Sequence, residues 1–290
     1  MLKYHRTLEI NCYVAGAGAF GVFIRWLQDQ LAFTDDGLAE RSFFHVFVIL
    51  YILAMAYVFL RFVDQERNRR RYLPEDFCEA LANPGKFYTF LRWAAGAIIC
   101  VGSLLLLSVS EIDDDVVLLR ILAGIGFVFG LTYPWFLSQA NKASLQHRSL
   151  MCLVSMIPVL MFSTWLIVSY KANSINSVVW SYAIEFMAIV AAMNAYFRMA
   201  GFCFDASNGW RCMFSAMFGC ASCIMAIADD RYMGMQIMFL GSALMLLLCN
   251  WIMFYNLKKS APVPKAHPDD GFDRLGGSHY APPDDGFERL

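Results

Sequence analysis

Residues 149–169 read SLMCLVSMIPVLMFSTWLIVS, with Arg148 before them and no charge until Lys171. As a helix rising about 1.5 Å per residue, this block is about 30 Å long, the thickness of a bilayer's hydrocarbon core. In lipid every backbone polar group needs a partner within the chain, so such a block reads as a membrane-spanning helix. Working outward in both directions, the pattern recurs at 8–28, 43–63, 88–110, 116–137, 177–199, 210–228 and 233–256. Eight spans take about 160 residues, close to the whole apolar content of a 290-residue chain that is 59% hydrophobic. The 23 Lys+Arg and 24 Asp+Glu fall well short of the roughly 70 charges of a soluble chain this long. The expected fold is all-α: a polytopic transmembrane bundle of eight spans over residues 1–257, with a basic loop at 64–87 and a separate tail at 258–290. A soluble enzyme and a nucleic-acid binder are disfavoured.

The scarce charges give an orientation. With eight spans, the N-terminus, the loops after the second, fourth and sixth spans, and the tail share one side. All but five of the 23 basic residues lie there, the exceptions being Arg25, Arg41, Arg120, Lys171 and Arg231. The opposite loops are acidic, with Asp29, Asp35, Asp36, Glu40, Glu111, Asp113, Asp114, Asp115, Asp229 and Asp230. The positive-inside rule therefore places both termini in the cytoplasm of a cell-membrane protein. Residues 8–28 follow Lys3 and Arg6 as a signal peptide would. Against that, Ala15, Ala17 and Ala19 come too early, and Phe20 to Leu27 carries the apolar run past any cleavage point. The seven tryptophans lie within about two turns of span ends, the level that indole rings prefer.

Small residues at helical spacing, such as Ala15/Ala19, Ala17/Gly21, Gly126/Gly130 and Ser215/Gly219/Cys223, predict close helix packing and leave room for a homo-oligomer. Cys220-x-x-Cys223 lies mid-span without a second pair or a nearby histidine, which makes it weak as a metal or redox motif. The methionines of the last two spans read as adaptable packing rather than copper handling. Of five histidines only His45 adjoins the membrane, so no bis-histidine haem is expected. HExxH, Walker A, GxSxG and paired intramembrane aspartates are absent. No cofactor, metal ligand or catalytic residue is expected, and an enzyme is the least favoured class.

Three sets of residues remain as functional candidates. The first is intramembrane. Glu185 lies about eight residues into the sixth span, roughly 12 Å deep, on a face shared with Ser181, Ala188, Ala192 and Ala195. An ionisable group there must be paired or neutral, and is a functional candidate by default. Arg120, one turn into the fourth span from the same side, is its expected partner, and Asn194 lies on the opposite face. The second set is Arg67, Arg69, Arg70 and Arg71, which suits anionic headgroups. Beyond it, Pro74 to Leu81 reads as a short interfacial helix, with Phe77 and Leu81 on one face. The third is the tail, where Pro268-Asp-Asp-Gly-Phe-Asp-Arg-Leu275 recurs as Pro283-Asp-Asp-Gly-Phe-Glu-Arg-Leu290. Phe272 with Leu275, and Phe287 with Leu290, suit a short motif docking on a cytoplasmic protein, two copies raising its apparent affinity. Read as DDxxD and DDxxE, the same residues match magnesium-diphosphate spacing, but a Pro/Gly-flanked tail lacks the rigid helix and cavity which that chemistry needs. The favoured function is a membrane sensor, anchor or assembly subunit that recruits a partner through this tail. The alternative is a secondary transporter or permease component for an ion or small apolar solute, using Glu185.

Overall fold

The computed structural model describes residues 2–32, 43–69, 71–83, 85–108, 116–141, 148–173, 182–229 and 231–258. Among these the chain is all-helical, with nine helices: α1 (Leu2–Leu31), α2 (Phe43–Asn68), α3 (Phe77–Ala80), α4 (Lys86–Leu107), α5 (Val116–Gln139), α6 (Arg148–Asn173), α7 (Ala183–Ala200), α8 (Gly209–Ala226) and α9 (Met233–Tyr255). Seven are long and apolar enough to cross a membrane. The other long helix, α8, falls outside that set because Trp210 and Arg211 open it and Gly and Ser residues dilute its apolar content. Its position explains why it need not suit lipid. It packs against α1, α2, α7 and α9, and Cys212, Met213, Ser215 to Met217, Gly219 to Cys223, Met225 and Ala226 are all buried.

Close approach is set by the small residues. Gly102 of α4 faces Gly234 of α9: a Cβ on the first would sit 2.8 Å from the carbonyl oxygen of the second, and the reverse distance is 2.7 Å. On the other side of α4, a Cβ on Gly130 of α5 would come within 2.6 Å of Cys100 Sγ. With no hydrophobic force between helices in lipid, such backbone proximity provides the packing energy. The centre is filled by an aromatic column. Trp165 lies 4.2 Å from Phe239 between ring centroids, Phe162 stacks on Tyr196, and Phe129, Tyr133 and Phe136 lead to Phe77 of α3.

Trp165 is fully buried in this column, against Phe162 and Phe239. One expectation changes here. The short helix is a single turn whose Phe77 and Leu81 are both buried against the bundle, so its apolar face is spent on Phe136 and not on lipid. All nine cysteines are unpaired.

Candidate functional site

Polar residues gather at the two ends of the bundle. At one end, α7 opens at Ala183, which puts Glu185 in the first helical turn and not eight residues inside a span. Its carboxylate accepts a hydrogen bond from Ser169 Oγ of α6, and its Oε2 lies 2.8 Å from Arg231 Nε. Arg231 also donates to Asn173 Oδ1 at 3.4 Å. The cation that balances Glu185 is thus Arg231, in the turn before α9, and not Arg120, which is exposed on α5. Asn194 is apart from this group and donates to Ser215 Oγ of α8 at 3.1 Å.

A second buried pair adjoins the first. Arg25 Nε of α1 lies 2.6 Å from Asp229 Oδ1, with 4% and 1% of the two side chains exposed. Arg25 also donates to Gln28 Oε1 at 2.7 Å, Gln28 Nε2 lies 2.8 Å from His45 Nδ1 of α2, and Gln236 Nε2 donates to the Asp229 carbonyl at 2.9 Å. Asp229 feels the charges of both Glu185 and Arg231, so the pairs form one cluster of two cations and two acids. Burial raises the Asp229 carboxyl above its ordinary value, against the opposing pull of Arg25. The cluster ties α1, α2, α6, α7 and α9 together at one level. A buried ion pair stabilises only with good geometry and further hydrogen bonds; Arg25 and Asp229 Oδ1 have both, whereas Glu185 Oε2 and Arg231 Nε meet as charges without hydrogen-bond geometry.

At the opposite end, α2 runs past residue 63 and buries Glu66 completely. Arg6 lies 2.6 Å from its Oε1, Arg71 lies 2.8 Å from its Oε2, and Arg69 stands 3.8 Å away. The arginines expected on lipid headgroups are in this part an internal ion cluster, because a carboxylate shut off from water needs compensating charge. Arg67 is exposed, and Arg70 lies outside the described residues.

Beside this cluster lie the last described residues, up to Lys258. Tyr72 and Lys258 exchange both backbone hydrogen bonds at 3.0 Å, the Lys258 ammonium pairs with Glu79, and Asn256 Nδ2 donates to the carbonyls of Ala80 and Ala82 at 2.9 and 3.0 Å. The docking residues Phe272, Leu275, Phe287 and Leu290 lie outside the described residues. Between α7 and α8, burial pushes the Cys203 thiol up to about 12, which removes its nucleophilic form at neutral pH. Among the described residues, no three His, Cys, Asp or Glu side chains stand together as metal ligands would.

Compared with family models, curated proteins and solved structures, the chain matches none. Its role is therefore argued from these clusters and the tail. Glu66, Arg25, Asp229 and Arg231 were not singled out by sequence reasoning. For Glu66 a local signal existed, since Arg69 and Arg71 follow it by three and five residues. For Arg25 and Asp229, 204 residues apart, there was none.

Proposed function

We propose that this chain is an eight-crossing protein of the cell membrane with both termini in the cytoplasm, serving as an anchor or assembly subunit that recruits a cytoplasmic protein through its tail. The observation that carries the reading is the fixed mount at Lys258. The backbone pair with Tyr72 and the Asn256 hydrogen bonds hold the last described residues against the loop that follows α2. The duplicated motif begins ten residues after this mount in the sequence, so the mount fixes where the tail starts. The orientation rests on the distribution of basic residues. The eighth crossing is supported by the enclosure of α8 among α1, α2, α7 and α9. Glu185 favours a scaffold over ion coupling, since its two oxygens are engaged by Ser169 and Arg231.

Quantitative co-purification after cross-linking in cells tests it. The full chain should retain a defined partner. Phe272→Ala or Phe287→Ala alone should weaken retention, and both together should remove it, as removing residues 261–290 should. A partner set unchanged by that deletion sinks the reading.

A further inference from the structure

We infer that the cleft between α6 and the end of α7 binds an anionic phospholipid. The cleft holds about 280 Å³ and is bordered by Met156 of α6, by Phe197, Arg198 and Ala200 of α7, and by Phe204 and Asn208 of the connection to α8. Phe197 and Phe204 are 58% and 51% exposed, which presents aromatic surface outward where α7 ends. Arg198 is half-buried and, among the described residues, has neither an acidic partner nor a hydrogen-bond acceptor. The contrast is local. Arg148, at the start of α6, is paired with Asp205 of that connection and donates to the Cys203 carbonyl at 3.2 Å. Arg6, Arg71, Arg25 and Arg231 each have a carboxylate.

The end of the α7 dipole favours a cation at Arg198, but it leaves the five guanidinium N–H donors unfilled. A phosphodiester fills them bidentately. The glycerol and the first acyl carbons then lie along Phe197, Phe204 and Met156. Arg198 sits one short connection from Trp210, at the level where amphipathic side chains meet headgroups. This assignment rests on the membrane-spanning reading alone and is independent of the tail.

The test counts lipids retained by the purified full chain in detergent, by native mass spectrometry, with dioleoylphosphatidylglycerol or dioleoylphosphatidylcholine at equal concentration. The wild type should prefer the anionic lipid about fivefold, the value of one basic residue at the surface. Arg198→Gln should erase that preference and Arg198→Lys should keep part of it. Ala206→Trp, which fills the mouth of the cleft, should lower retention of both lipids. Lys86→Gln, an exposed basic residue elsewhere at this end, should change neither. Equal preference in wild type and Arg198→Gln overturns the site. Displacement of the bound lipid by an equal concentration of inorganic phosphate overturns the lipid as its occupant.

Discussion

A carboxylate without solvent access, such as Glu66, is tolerable only while cations surround it. Arg6 and Arg71 do so within 2.8 Å, whereas Arg69 stands farther off and half exposed. Glu66→Ala should therefore lower stability by about 1–3 kcal/mol, and Arg69→Ala should stay within about 0.5 kcal/mol of wild type; thermal melts in detergent separate the two. Asp229 gives a pH signature. Its native pKa lies above the ordinary 3.8, so between that value and the raised one the folded state binds more protons than the unfolded. The stability it contributes is fully present below 3.8 and is lost as pH rises through the native pKa. Asp229→Asn keeps a neutral side chain at every pH. The difference between wild type and variant should then favour wild type most at the acidic end and shrink as pH rises; a difference that grows with pH contradicts the assignment.

Among the helices, neighbours decide how much a glycine matters. Gly102→Ala drives a methyl into the Gly234 carbonyl and into Met238 of α9, and should cost about 1–3 kcal/mol. Gly16 has open space at the same atom, so Gly16→Ala should be neutral or stabilising by up to about 1 kcal/mol. Fluorescence-detected size exclusion after a heat step ranks them, and equal losses would contradict the close α4–α9 contact. The lipid-facing helices were legible because the bilayer imposes a length and a composition that hydropathy reports directly. Their polar ends were not. Charged Glu66 reads as loop in a hydropathy profile, yet α2 continues through Asn68 because Arg6 and Arg71 neutralise the carboxylate from outside the helix. Likewise α7 starts later than its apolar pattern, and this moves Glu185 from depth to the first turn. For α8 the periodic small residues were legible. Its enclosure by four other helices was not, because a single chain does not state which helices are neighbours.

At the scale of the molecule, the charge alternation predicts the side on which each end lies. An epitope placed after Leu290 should be labelled in permeabilised cells and silent in intact ones; labelling of intact cells reverses the topology. The long-range pairs were beyond reading. Asn250 donates to Asn11 at 3.0 Å across 239 positions, and Arg25 meets Asp229 across 204. Nothing in local periodicity couples such distant positions.

That last pair bears on how the protein is made. Ribosomes deliver Arg25 long before Asp229 exists, so for most of its synthesis the first helix carries this cation without the acid that it meets in the folded chain. The helix α8, the long helix outside the set apolar enough to cross a membrane, arrives just ahead of that acid. Assembly cannot be sealed one hairpin at a time; the contact of Arg25 with Asp229 closes only when the last quarter of the chain is translated.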